Sequence, residues 1–226
     1  MISVLCPTRN RPGNVQRLID SATSTAAGAV EFVFYTDDDA PLPAHITSRA
    51  DVTAVTGPRI VLSAMWNACY PHATGDIVMQ CGDDIVFRSP NWDTEVAEAF
   101  NGYPDRVVFV HGDDLVYGAR FGTHGFLHRT WVDTVGYVTP PWFVSDYGDT
   151  WLNDVANDLG RRVYLPGVIT EHMHPAFGKA DWDLTHRERL ARHDEHQPGD
   201  LYDRLAPERA ADAAKLRAVI GERSGV

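Results

Sequence analysis

Residues 73–84 read Ala73-Thr74-Gly75-Asp76-Ile77-Val78-Met79-Gln80-Cys81-Gly82-Asp83-Asp84, an apolar run that stops at a glycine and two adjacent aspartates. A short apolar run bounded by turn residues predicts a strand over 76–81. Upstream, residues 2–6 form a similar run closed by Pro7. Residues 14–22 then carry Val15, Leu18, Ile19 and Ala22 at helical spacing. Residues 31–35 (EFVFY) predict another strand, ending in Thr36-Asp37-Asp38-Asp39, and 61–70 a helix. Downstream, 94–100 reads as a helix and 106–110 (RVVFV) as a strand ending at His111-Gly112-Asp113-Asp114. Strands alternating with helices predict an α/β fold with a mainly parallel sheet flanked by helices and right-handed crossovers. In such sheets ligands sit beyond the carboxyl ends of the strands. Three of these strands end in aspartates.

The pattern loosens after residue 118. Residues 122–128 and Pro140-Pro141-Trp142 look like loops, 149–159 like a helix and 163–165 like a strand. Residues 207–220 have helical spacing, with Pro207 suited to a first helical position. A main domain over 1–178 is expected, with 179–226 as a helical C-terminal extension packed on it.

The 226 residues are 44% hydrophobic and 23% charged, within the range of a globular protein that buries one large core. Cys6, Cys69 and Cys81 form no CxxC pair, so neither a disulfide framework nor a zinc ribbon is indicated. No run reaches the roughly 18 apolar residues of a membrane span. Residues 1–5 lead straight into a strand with no basic segment before it, so no signal peptide is expected and a cytoplasmic location fits. The net charge is −11; residues 179–226 hold nine basic and ten acidic side chains, leaving 11 basic and 21 acidic for residues 1–178. This disfavours a broad footprint for nucleic acid or an anionic membrane. An anionic substrate would need a metal ion or a few placed arginines.

Like charges as close as Asp83 and Asp84 raise a pKa or recruit a cation. Hard oxygen donors there suit Mg²⁺ or Mn²⁺ holding a diphosphate, whereas a solvated turn is the plainer alternative. Gly112-Asp113-Asp114 opens a hexapeptide of the same pattern (GDDLVY against GDDIVF at 82–87), so the hexapeptide alone does not choose between them. Gly-Asp-Asp also occurs in RNA-template polymerases, for which the chain is too short. His172-Met173-His174 on an extended segment puts two imidazoles on one face, a metal-ligand arrangement or a surface pair. Arg59, after Gly57-Pro58, is a candidate phosphate contact or a surface residue at a helix start. Trp142, Phe143 and Tyr147 are a candidate platform for a sugar ring or acceptor, or simply core, as Trp66 and Trp151 are expected to be.

The order of these parts resembles the family 2-like GT-A glycosyltransferases, whose fold is a Rossmann-like sheet flanked by helices. The resemblance covers roughly residues 2–175. The segment Val4-Leu5-Cys6-Pro7-Thr8-Arg9-Asn10-Arg11-Pro12 is similar to the family's opening strand and loop, which implies that Pro7, Thr8, Arg9, Asn10 and Arg11 border the nucleotide. Phe34-Tyr35-Thr36-Asp37-Asp38-Asp39 resembles the second strand, and implies a base or ribose contact at Asp37 or Asp38, with Asp38 chosen. Asn67, in the helix before the Ala-x-Gly-Asp lead, joins that nucleotide set. Asp83 and Asp84 fall where the family places its DxD metal motif, but Cys81 stands where a strict motif has an acid. His172 or His174 matches the late histidine of the metal shell. His124-Gly125-Phe126-Leu127-His128-Arg129 resembles the acceptor-side strand, placing His124 with Trp142 at the acceptor. Gly148-Asp149-Thr150-Trp151-Leu152 looks like the Glu-Asp motif opening a helix, with Gly148 for the Glu; Asp149 is the implied base and Asp146 the substitute.

The implied activity is metal-dependent transfer of a hexosyl or pentosyl group, with inversion, from a nucleoside diphosphate sugar to a hydroxyl acceptor. UDP is the donor nucleotide by analogy, Mn²⁺ or Mg²⁺ the ion, and a soluble acceptor is favoured. Two alternatives stay open. One is transfer to hydroxylated DNA bases, as in small virus-encoded enzymes, using Arg187, Arg189 and Arg192 of the tail. The other is a non-catalytic nucleotide-sugar-binding protein. A nucleotidyltransferase would carry a glycine-rich loop after the first strand, and residues 8–13 hold one glycine.

Overall fold

The computed structural model describes residues 1–224. Eight strands among them build one sheet: β1 (Ile2–Thr8), β2 (Val30–Asp37), β3 (Val52–Gly57), β4 (Ile77–Gln80), β5 (Ile85–Phe87), β6 (Phe109–Asp113), β7 (Gly125–His128) and β8 (Arg162–His172). Their order is β3-β2-β1-β4-β7-β6-β8-β5. The pairs β1–β2, β2–β3, β1–β4 and β6–β8 are parallel, while β7 runs antiparallel to β4 and β6, and β5 antiparallel to β8. The sheet is therefore mixed and mostly parallel, as the strand-helix alternation implies.

Every residue of β1 is buried, which explains its unbroken apolar run: helices cover both faces. Val4 and Cys6 point to one core with Val15 and Leu18 of α1 (Pro12–Thr25), Ile46 of the short α2 (Ala44–Thr47), and Trp92 and Phe100 of α4 (Trp92–Asn101). Leu5 points to the other. That second core holds Trp66 of α3 (Leu62–Cys69), Trp131 of α5 (Arg129–Val135) and Trp151 of α6 (Gly148–Asp158). Trp66 and Trp151 are thus core residues. Beyond α7 (Leu184–His196), Tyr202 of α8 (Pro198–Arg204) and Ala213 and Leu216 of α9 (Ala206–Ser224) join this same core. The three cysteines are buried free thiols, and no described helix is long and apolar enough to cross a membrane.

Several elements depart from the sequence reading, three-residue β5 among them. β3 was not expected; it is an edge strand whose Thr53, Ala54 and Thr56 face solvent, so it carries no apolar run. Residues 125–128, loop-like in composition but within the segment that resembles the family's acceptor-side strand, form β7. Its Gly125 lies so close to Phe109 that a Cβ there would sit 2.1 Å from the ring. The strand expected at 106–110 is β6, starting at Phe109, because Arg106 turns the chain with φ of 63°. The strand expected at 163–165 is only the half of β8 that pairs with β6. After Pro166-Gly167 the strand continues, and its end pairs with three-residue β5.

Leu216 is fully buried, so α9 is expected to unfold with the sheet. Leu216→Ala should cost about 2–4 kcal/mol in urea denaturation, in a single transition followed by both fluorescence and circular dichroism.

Candidate functional site

The strand order reverses at β1, whose parallel neighbours β2 and β4 leave in opposite directions. Loops diverging from such a switch point open a crevice at the carboxyl ends. A cavity of about 1280 Å³ lies there, walled by the ends of β1, β2, β4 and β8, the approaches to α3 and α6, and one face of α7.

Asp83 and Asp84, both buried, line this cavity with different partners. Thr8 Oγ1 donates to Asp83 at 2.7 Å and Arg11 Nη1 at 3.0 Å. Burial and neighbouring Asp84 push the Asp83 carboxyl up, against the pull of Arg11. Asp84 instead faces histidines: His172 Nε2 lies 3.3 Å and His186 Nε2 4.0 Å from its Oδ2. Burial opposes its ionisation too, but His172 and His186 outweigh that and hold Asp84 well below the usual carboxylate range.

Asp84, His124 and His172 each offer a ligand atom, all within 4.8 Å of one another. His124 Nε2 and His172 Nδ1 are buried with no hydrogen-bond partner. Burial and the nearby His172 push His124 down to about 3, so its imidazole is neutral, as a metal ligand must be. Gly82 makes the approach possible: a Cβ there would lie 2.8 Å from Asp84 Oδ1 and 3.2 Å from the His124 ring. The donor set fits a divalent cation. His174, its ring 5.2 Å from His172 and 5.0 Å from His186, flanks the group, and burial lowers it to about 4.

The two similar hexapeptides differ sharply in use. Asp114 Oδ1 accepts the N–H groups of Val116, Tyr117 and Gly118, and its Oδ2 accepts from Thr123, so it folds its own loop. The backbones nonetheless act together on β8: His172 N donates to Asp114 O, and Met173 N to Asp84 O.

Asp146 and Asp149 also contrast. Asp146 is gripped by Arg189, by His193 Nδ1 at 2.7 Å and by Ser145 Oγ at 2.9 Å. Those partners overcome burial and hold it low. Asp149 sits in the first turn of α6, reached through Tyr147 at φ 72°. Its Oδ1 accepts Thr150 N at 2.8 Å, and among the described residues no hydrogen bond reaches its Oδ2. Burial pushes Asp149 up to about 6.

Pro7, Thr8, Arg9, Arg11, Asp37 and Arg59 line the same cavity, as do Asp146 and Asp149. Asp37 is buried, with Oδ1 unpartnered and Oδ2 taking Arg9 at 2.7 Å. Four expected site residues lie off the cavity. Asp38 and Asn10 are exposed, and Trp142 packs outward at 40% exposure against Tyr137 and Trp151. Asn67 holds a loop, its Oδ1 accepting Val138 N and Thr139 N and its Nδ2 donating to Thr139 O. His124, read as an acceptor residue, stands with Asp84 and His172. Sequence reasoning missed His186 and Asp183: Arg11 grips Asp183 through Nε and Nη2 at 2.6 and 2.7 Å. The signal for them was a second histidine-rich stretch after residue 182.

No protein-family model matches the chain. Similar solved structures include a mannosyltransferase from Pyrobaculum calidifontis in complex with GDP-Man and Mn²⁺, at TM-score 0.62 and 14% identity over 100% of this chain and 75% of that one. S. aureus TarS 1–349 in complex with UDP-GlcNAc has TM-score 0.56 and 16% identity, over 99% and 92%. The catalytic domain of Drosophila β1,4-galactosyltransferase 7, in complex with xylobiose, has TM-score 0.52 and 10% identity over 84% and 79%. The chain has the GT-A-type fold of these glycosyltransferases. A curated relative, the FMN-dependent NADH:quinone oxidoreductase 2 of Photobacterium profundum, is 23% identical over 66% of this chain and 77% of its own length.

The two aspartate pairs should separate experimentally. Asp114→Ala is expected to lose about 3 kcal/mol of stability, by freeing three N–H groups and a hydroxyl, while a Mn²⁺-induced rise in melting temperature persists. Asp84→Ala should keep the fold and abolish that rise.

Proposed function

We propose that the chain is a glycosyltransferase that moves a sugar from a nucleoside diphosphate donor to a hydroxyl acceptor with inversion at the anomeric carbon. The observation that carries this reading is that one cavity at the switch point gathers a divalent-cation donor set and a carboxylate of raised pKa. The bound GDP-Man and UDP-GlcNAc of the structural neighbours support a nucleotide-sugar donor, with UDP as the working choice.

In this reading Pro7, Thr8, Arg9 and Arg11 on one side and Asp37 on the other hold the nucleotide. Arg9 is fixed for that role by Asp37 and Asp39. A Mn²⁺ or Mg²⁺ ion held by Asp84, His124 and His172 would supply positive charge beside a diphosphate. Asp83 is a positioning residue, tying Thr8 and Arg11 to the strand end. Asp149 accepts the acceptor hydroxyl's proton at Oδ2 while the oxygen attacks the anomeric carbon opposite the leaving diphosphate. Asp146, committed to Arg189 and His193, is the poorer base. The buried free thiols accord with a cytoplasmic protein.

Transfer from a UDP- or GDP-sugar panel, read by nucleoside diphosphate release, tests the activity. Asp149→Asn is expected to bind donor normally and lose about 10²-fold or more in turnover. Wild-type turnover should fall as pH drops through about 6, where Asp149 takes up its proton. Stability moves the other way. A carboxyl raised in the folded state weakens the fold above its folded pKa, so Asp149→Asn should melt higher than wild type at pH 7 and lose that gain as pH falls from about 6 to below the ordinary carboxylate range. Near-normal turnover in Asp149→Asn would move the base to Asp146.

A further inference from the structure

Helix α7 lies over the cavity, yet it is not an apolar lid: His186 is its one buried residue. It is held by polar contacts. Asp183 caps it and grips Arg11, Thr185 Oγ1 donates to Arg9 O at 3.3 Å, and Arg189 and His193 both reach Asp146. Its residues His186, Arg189, Arg192 and His196 recur at near-helical spacing and line the cavity.

Charge pairing along this wall is uneven. Arg9 has Asp37 and Asp39, Arg11 has Asp83 and Asp183, and Arg189 has Asp146. Arg59 and Arg192, by contrast, share one carboxylate oxygen: Arg59 Nη2 pairs with Glu188 Oε2, and Arg192 Nη1 lies 3.8 Å from that same atom. Burial and the charge of Arg59 disfavour the Arg192 cation, with Glu188 and Asp37 opposing them and Arg189 adding repulsion. Two guanidinium groups thus converge on a single acid at the cavity wall. The pairing is partly solvated, with Arg59 at 45% and Glu188 at 30% side-chain exposure, so replacing it costs little.

We propose that Arg59 and Arg192 are a phosphate clamp, and that Glu188 is a resident counter-ion which the diphosphate of the donor displaces. Guanidinium forks match phosphate oxygens geometrically, and a diphosphate brings the negative charge that this pair lacks. The proposal rests on the glycosyltransferase reading for its ligand and extends the donor site onto α7, beyond residues 2–175, whose sequence motifs resemble the family.

Calorimetric titration of the full chain with UDP, GDP, ADP and CDP, and with the parent nucleosides, in the presence of Mn²⁺, tests it. Arg192→Ala should weaken diphosphate binding about tenfold without changing nucleoside binding, and Arg192→Lys should restore part of the loss. Glu188→Gln should strengthen diphosphate binding several-fold, which gives a second reading should Arg192→Ala unfold. Unchanged diphosphate affinity in both variants would overturn the clamp, as would an equal loss for nucleoside and diphosphate in Arg192→Ala. Wild-type protein that binds none of the four diphosphates would instead contradict the glycosyltransferase reading, and the clamp with it.

Discussion

Two neighbouring carboxylates buried at one strand end are the constraint around which this molecule is arranged. Removing a carboxylate from water costs several kcal/mol unless hydrogen bonds and opposite charge compensate. Asp83 and Asp84 share the strand end but not their compensation. Asp83 uses a hydroxyl from the last residue of β1 and a guanidinium from the loop that follows, and Asp84 uses imidazoles from β8 and α7. Each solution recruits a different part of the chain. Arg11, once committed to Asp83, also grips Asp183 and so fixes where α7 begins. His172 and Met173 at the end of β8 are fixed in turn by backbone bonds, His172 N to Asp114 O and Met173 N to Asp84 O.

The compensation is incomplete in a telling way. Among the described residues six buried side-chain polar atoms have no hydrogen-bond partner, and those of Asp37, Gln80, His124, His172 and His186 belong to the cavity lining. Native proteins leave few such atoms, and each asks for an explanation. Here they converge with a carboxyl raised to about 6 at Asp149 and an under-neutralised arginine pair. On the proposed reading, the cavity takes something positive on the histidine side and something negative on the α7 side. A nucleoside diphosphate sugar with a divalent cation has that polarity.

The sheet was legible where burial on both faces forces a continuous apolar run, as in β1, β2 and β4. It was not legible in β3, an edge strand of exposed threonines, or in β5, too short to leave a pattern. β7 hides behind glycines that a close approach to Phe109 requires. The site shows the same division. Asp83-Asp84 and His172 stand out because titratable groups after an apolar strand are unusual. Which of two similar hexapeptides carries them depends on the chain that packs alongside, and no local pattern reveals that Asp114 spends its oxygens on its own turn. His124 joins the set only because antiparallel β7 lies beside β4. The contribution of α7 is set by contacts across more than 170 residues of sequence, from Arg11 to Asp183.

A cation on Asp84, His124 and His172 and a nucleoside diphosphate are held to occupy one cavity and to assist each other. Binding free energies at coupled sites are reciprocal, so the coupling can be read from the metal side alone. Titrating Mn²⁺ by the loss of its free paramagnetic resonance signal, with and without saturating UDP or GDP and after correction for nucleotide-bound Mn²⁺, measures it. Tighter Mn²⁺ binding with nucleotide is expected in wild type, and neither binding nor coupling in His124→Ala. Mn²⁺ affinity that ignores nucleotide, or that survives in His124→Ala, would contradict it.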